Sequence, residues 1–277
     1  MEILRIKALG HDFGGLRALS GFDLALDERE FVGVIGPNGS GKTTLFNLVS
    51  GIYRAATGSI SFRGRELVGM SPSSIAHLGI TRTFQNIRLF KELTVLDNVR
   101  VAKYAAVRYS GLEALLHVGR FRTEERRLTE EAMELLTLFG LDDKAEDPAK
   151  NLPYGLQRRL EMARALAASP NVLLLDEPGA GMNPAEIGRL IQLLQWTKEH
   201  FPIAIVLIEH HMKMVMELCQ RIKVLDFGVT ISEGTPMQIR QDPKVIEVYL
   251  GKKDYAAVAG RTENTGYGHT ADNRPHG

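Results

Sequence analysis

The chain reads as an α/β protein with a parallel sheet at its centre. Short, wholly apolar runs at Phe31-Val-Gly-Val-Ile35, Val172 to Leu175 and Ile203 to Ile208 suit strands buried on both faces. Helical stretches at Ile187 to Trp196 and Met212 to Leu218 follow the second and third runs, which is βαβ order. With 277 residues, 44% of them hydrophobic and 24% charged, the chain has an ordinary globular composition. It is long enough for one large domain or two closely packed lobes.

Taken in order, Met1-Glu-Ile-Leu-Arg-Ile-Lys7 alternates apolar and polar residues. That is strand periodicity and not the apolar core of a signal peptide. Ile3 to Leu9 and Phe22 to Leu26 are strand candidates, separated by the turn-forming Gly14-Gly15. After Phe31 to Ile35 come a glycine-rich loop and a helix through Leu48, closed by Gly51. Ser59 to Phe62 is a further edge-strand candidate, with Arg63-Gly64-Arg65 as a turn.

The middle third is helical. From Thr123 to Gly140, Leu128, Ala132, Leu135, Leu136 and Phe139 share one face, with Thr123 as N-cap and Gly140 as C-terminal cap. Ile222 to Leu225 and Val229 to Ile231 form a closing hairpin around Asp226-Phe227-Gly228. Met212 and Met216 share a helical face and are expected to fill core. His210 and His211, as neighbours leaving a strand, are expected to point opposite ways and make a poor metal chelate. Residues 252–277 are polar and expected to be a mobile tail.

Several function classes are disfavoured. The net charge is +1, from 34 basic and 33 acidic residues, which gives no general nucleic-acid footprint. One cysteine, Cys219, makes neither an internal disulfide nor a cysteine metal framework, and is read as a buried thiol. The longest strongly apolar run, Ile203 to Ile208, is far too short to span a bilayer. A cytoplasmic location is therefore expected, with any membrane role exerted through partners.

Chemistry concentrates in two places. Gly36-Pro37-Asn38-Gly39-Ser40-Gly41-Lys42-Thr43, followed by Thr44, fits the phosphate-binding loop in full, after an apolar strand and ahead of a helix. The glycines allow successive backbone N–H groups to face phosphate oxygens, and the helix start adds its positive dipole end. Lys42 supplies a point charge to the β and γ phosphates of ATP, and Thr43 offers a hydroxyl to Mg²⁺. The second place is Val172-Leu-Leu-Leu-Asp176-Glu177, where two acids stand at a strand's carboxyl end. Asp176 is suited to hold Mg²⁺, and Glu177 to orient or deprotonate the water that attacks the γ phosphate.

On these residues the chain resembles the ABC transporter ATPase family across nearly all of Met1 to Gly251. The resemblance implies an ATPase domain over 1–251 with a P-loop NTPase core and parallel sheet. It also implies an N-terminal antiparallel β subdomain and an inserted α-helical subdomain over roughly residues 88–165. It further implies that Gln85, in Thr83-Phe-Gln-Asn86, touches Mg²⁺ and senses a transmembrane subunit. His210 looks like the switch histidine on the γ phosphate, and Phe13 stands where the family stacks an aromatic on adenine. Leu152-Pro-Tyr-Gly-Leu-Gln157 and the run Arg158 to Leu166 resemble the signature motif, through which Tyr154 and Gly155 would grip ATP held by a second ATPase subunit. Three residues depart from the family's pattern: Pro153 for a serine, Leu156 for a glutamine and Asn183 for a carboxylate.

Within the family, Gly79 to Phe90, Leu93 to Asn98, Gly179-Ala-Gly-Met-Asn-Pro184 and the ending Val245 to Gly251 look like the branched-chain amino-acid importers. So does the stretch Val101 to Arg127. The partners this implies are permease subunits, with a periplasmic binding protein contacted indirectly. Arg88 and Lys91, with Ile87, Leu89 and Phe90, would flank the permease contact. Urea, amide or lipopolysaccharide systems share several of these features, and a soluble ABC ATPase is the other class. No heptad array lies between Lys42 and Asp176, against that last reading.

Overall fold

The computed structural model describes residues 1–104 and 120–250. Six strands form the central sheet in the order β10-β9-β3-β8-β7-β6. They are β3 (Phe31–Ile35), β6 (Ile80–Arg82), β7 (Val172–Asp176), β8 (Ala204–Ile208), β9 (Arg221–Asp226) and β10 (Val229–Gly234). All neighbours are parallel except the β9–β10 hairpin. Its two-residue turn puts Phe227 and Gly228 at positive φ, 43° and 78°, the twist that tight hairpins favour. A second, antiparallel sheet has the order β2-β1-β4-β5, from β1 (Glu2–Phe13), β2 (Leu16–Asp27), β4 (Thr57–Phe62) and β5 (Arg65–Glu66).

The predicted buried strands are buried throughout, and they feed two cores. Val32, Val34, Val172, Leu174, Val206 and Ile208 face the antiparallel sheet and helix α1 (Lys42–Val49), among Leu4, Ile6, Phe22 and Phe46. Their chain neighbours Phe31, Ile35, Leu173, Leu175, Ile205 and Leu207 face the helices on the other side. A period-two strand buried on both faces must be apolar at every position, which is why these runs lack alternation.

That second core takes in α3 (Val95–Lys103), α4 (Arg120–Leu138), α5 (Tyr154–Ala167), α6 (Pro184–His200) and α7 (Met212–Leu218). The first three lie within or close to the span expected to be helical. Short helices α2 (Pro72–His77), α8 (Pro236–Gln241) and α9 (Pro243–Leu250), with single 3-10 turns at Asp142–Lys144 and Ala149–Asn151, complete the described elements. Among the described residues, no helix is long and apolar enough to cross a membrane. The expected tail, 252–277, lies outside the described residues.

Two local expectations need correction here. Helix α4 already runs from Arg120, so Thr123 is an exposed residue of its first turn and not its cap. A solvent-facing threonine costs a helix only some tenths of a kcal/mol, too little to start or stop one. The other end behaves as expected: Gly140 has φ 62°, and Leu141 N–H reaches Leu136 O at 2.8 Å to close the helix. On α7, Met214 fills core, while Met212 and Met216 are half-buried: they pack against that core from its edge and also line a groove against α8 and α9. Sharing a face left those two at the core's margin, because Met214, Val215 and Leu218 are the residues that α7 buries fully.

Cys219 is buried as expected, and burial pushes its thiol up to about 12 from an ordinary 9.0. Below pH 9 the thiol is neutral in both folded and unfolded chains. Between the two values only the unfolded chain loses the proton, so this group lowers stability as pH rises through that window. Iodoacetamide at pH 8 is expected to leave the folded protein unlabelled and to label it after unfolding in urea. Labelling of the native protein at the rate of a free thiol would contradict the burial.

Candidate active site

Parallel neighbours β3, β8 and β7 end on the same edge of the sheet, with Val34 level with Ile208 and Ile208 level with Asp176. The three following loops therefore converge, as ligand sites in open α/β sheets do. They carry Gly36 to Gly41, Glu177 to Asn183 and Glu209 to His211.

The first loop is shaped by close approach. Gly41, the residue ahead of α1, has φ 103°, and a Cβ there would lie 2.5 Å from the carbonyl oxygen of Ala18. Lys42 is buried and donates to its own loop, to Gly36 O at 2.9 Å and Pro37 O at 2.8 Å. Burial lowers the Lys42 pKa, and the Glu177 and Asp176 carboxylates oppose that shift. Asn38, Gly39, Gly41, Lys42, Thr43 and Thr44 line a cleft of about 420 Å³ together with Gln85 and Glu177. Leu16, Arg17 and Ala18 from β2 and the hairpin tip Phe227, 84% exposed, line it as well. None of these four was read from sequence as a site residue, Phe227 being placed only in the hairpin turn.

The acidic pair divides its partners. Asp176 is buried, and its Oδ2 accepts from Arg82 Nη2 at 2.7 Å. Arg82 also donates to Asn47 Oδ1 at 2.7 Å and Ser50 Oγ at 3.2 Å, and its charge lies over the rings of Phe46 and Phe84. It thus joins α1 to the end of β7. Arg82 was missed from sequence; its one local signal is a cation directly ahead of Thr83-Phe-Gln85. Glu177 has a left-handed backbone, φ 47°, and its Oε2 accepts from Gln85 Nε2 at 2.9 Å. His210 Nδ1 stands 4.0 Å from the same oxygen.

The two histidines correct an expectation. Their ring centroids are 4.4 Å apart, because strand β8 ends at Ile208 and the chain turns into α7 at Met212, so strand alternation no longer applies. Glu209 binds the turn: its carboxylate accepts from the N–H groups of Gly179, His210 and His211. Phe13 does not line the cleft; it packs edge-on against His11 at 4.6 Å and Tyr53 at 5.4 Å and is 44% exposed.

Pro153 precedes α5, whose first backbone bonds run from Leu156 and Gln157 N–H to Pro153 O. The N–H groups of Tyr154 and Gly155 therefore lie ahead of the helical ladder. Gly155 is held close to α6: a Cβ there would meet Glu186 Oε1 at 2.9 Å. Asn183 caps α6 in a reciprocal box, accepting from Glu186 N–H at 3.0 Å while Glu186 Oε2 accepts from Asn183 N–H at 2.9 Å. Asparagine caps about as well as aspartate, so this departure from the family's pattern leaves the helix start intact. Asn183→Ala is expected to cost ~1 kcal/mol and to lower the melting temperature by about 2–4 °C. An unchanged melt would remove the cap from the account.

A full phosphate-binding loop facing an Asp–Glu pair at the carboxyl edge of a parallel sheet defines a nucleoside-triphosphate-binding hydrolase. The family model described as "ABC transporter" matches residues 19–180, and "Branched-chain amino acid ATP-binding cassette transporter" matches residues 229–255. The chain is 43% identical over 250 residues to "High-affinity branched-chain amino acid transport ATP-binding protein LivG" of Salmonella typhimurium, covering 90% of this chain and 98% of that protein. The corresponding BraF protein of Pseudomonas aeruginosa is 42% identical over the same length, with the same coverage. Among solved structures, an ATP-binding cassette of an ABC transporter in its ADP conformation superposes with a TM-score of 0.78 at 31% identity, covering 91% of this chain and all of that one. The chain belongs to the ABC transporter ATP-binding family and is an ATPase.

Proposed function

We propose that the chain is a motor subunit of an importer for branched-chain amino acids, working as one of two ATPase subunits beneath permease subunits at the inner face of the membrane. The cargo reading follows the transport role in the names of relatives that match over nine-tenths of the chain. The hydrolytic reading rests on one observation above the others: Gln85 and Glu177 meet in the cleft that the phosphate-binding loop lines.

In this reading the loop residues Gly36 to Thr44 bind the phosphates, and Lys42 leaves its backbone partners to neutralise the β and γ oxygens. Phe13, exposed and paired across β1 and β2 with the cleft-lining Leu16, would supply a face for adenine from the rim of the cleft. Thr43, Asp176 and Gln85 would hold Mg²⁺; a hydroxyl, a buried carboxylate and an amide are hard oxygen donors of the kind this cation takes. When bound, it neutralises charge that develops on the transferring phosphoryl group. Glu177 takes the proton of the attacking water, and His210 and Gln85 position that water and the γ phosphate. The N–H groups of Tyr154 and Gly155, at a helix start, face the ATP of the second subunit. A periplasmic binding protein delivers cargo to the permeases without touching this chain.

The test is co-purification with the permeases, followed by reconstitution into liposomes with the binding protein. Leucine, isoleucine or valine uptake that requires ATP is the expected result. A complex that hydrolyses ATP and moves urea or an amide but none of these three amino acids would overturn the cargo reading.

A further inference from the structure

We propose that Arg158 and Glu161, a buried ion pair on α5, are positioning residues that lock the Gln85 loop and Glu177 into one unit. The proposal rests on the reading of Glu177 as general base. The side chains of Arg158 and Glu161 are 0% and 1% exposed and meet at 2.8 Å. Their other bonds go to the main chain of two separate loops. Arg158 Nη1 donates to Phe84 O at 2.6 Å, and Nη2 donates to Gln85 O at 2.7 Å and Glu177 O at 3.3 Å. The second oxygen of Glu161 accepts from the N–H groups of Phe84 at 3.4 Å and Arg88 at 3.3 Å.

A buried ion pair is weak evidence for stability, because well-packed apolar residues often serve as well. Its effect here is geometric. The guanidinium is a rigid planar fork, so one group sets the separation of the Gln85 and Glu177 carbonyls. The same two residues also meet through their side chains at 2.9 Å. Glu177 has φ 47°, a conformation that a residue with a Cβ keeps only where its surroundings over-determine it. The Arg158 bond, with Glu177 N–H donating to Ile208 O at 2.9 Å, does so. The helix that begins at Tyr154 and Gly155 thereby carries the Gln85 loop and the main chain of Glu177 together.

The test replaces both charges at once, Arg158→Met with Glu161→Met, so that neither is left buried alone. Nucleotide binding is expected to persist while kcat falls on the order of 10²-fold, as for a small misplacement of a reacting group. The deciding measurement repeats the double substitution in a Glu177→Gln background. A pair that acts by placing Glu177 causes a clearly smaller further loss there, limited to the part carried by Gln85, since residues acting as one unit are non-additive. Loss by the same factor in both backgrounds marks a merely structural pair and overturns the proposal, as does wild-type turnover in the folded double variant. Should the double variant not fold, Glu161→Gln is read in the same way, and additive loss overturns the proposal. Amide hydrogen exchange separates this from the parent reading. If Glu177→Gln alone keeps its turnover, the base assignment fails, yet the lock still requires faster exchange at both 84–88 and 177–180 in the pair variants. Faster exchange at 84–88 alone overturns it.

Discussion

Lys42→Ala is expected to lower ATP affinity by roughly 10–100-fold, since a hydrogen bond to a charged group contributes about 1.5–3 kcal/mol. Turnover should fall further, on the order of 10²–10³-fold, because the lost donor faces charge that grows in the transition state. The fold should survive. Lys42 Nζ bonds only to atoms of its own loop, Gly36 O, Pro37 O and, at 3.3 Å, Ser40 Oγ. All three partners lie within the loop, so losing them leaves the rest of the fold untouched. Isothermal titration with MgATP and a steady-state ATPase assay check the effect, with a thermal melt as control. Unchanged affinity and turnover would take the phosphate-binding role away from this loop.

Glu177→Gln should separate binding from hydrolysis. Gln85 Nε2 donates to Glu177 Oε2, and a glutamine can present its carbonyl oxygen to the same donor, so the local packing is kept. What disappears is the proton acceptor. Removing a general base typically costs about 10²–10⁴-fold in rate. MgATP should still bind, and the nucleotide-bound dimer should accumulate and elute early in size exclusion. Turnover near that of the wild type would move the role to His210, whose Nδ1 is 4.0 Å from the same carboxylate.

These two residues were legible from sequence for a shared reason. The phosphate-binding loop needs its glycines, lysine and threonine at consecutive positions, and an acid at the end of an apolar strand is placed by that strand. Both are local patterns. So are the β9–β10 hairpin, the Gly140 helix end and the continuous apolar runs that become β3, β7 and β8. The family's motifs carried Gln85 and His210, which no spacing rule would have joined to Glu177.

Contacts between distant segments were not legible. Arg82 meets Asp176 across 94 positions and Arg158 meets Phe84 across 74, and nothing near either arginine names its partner. Helical periodicity places Arg158 and Glu161 three residues apart on one face, which equally describes a solvated surface pair. Only the packing of α5 against the Gln85 loop makes them buried. The same limit explains the misreadings at Thr123, at Met212 and Met216, and at His210 and His211. Each followed a sound local rule, and each was decided by where the neighbouring element ended or what lay beneath it. The sequence by itself determined the parallel sheet, the phosphate-binding loop and the acidic pair, because chain-local sterics and burial dictate them. Tertiary structure decided which buried charges hold those parts in register, because a charge taken from water must find its partners wherever the fold supplies them.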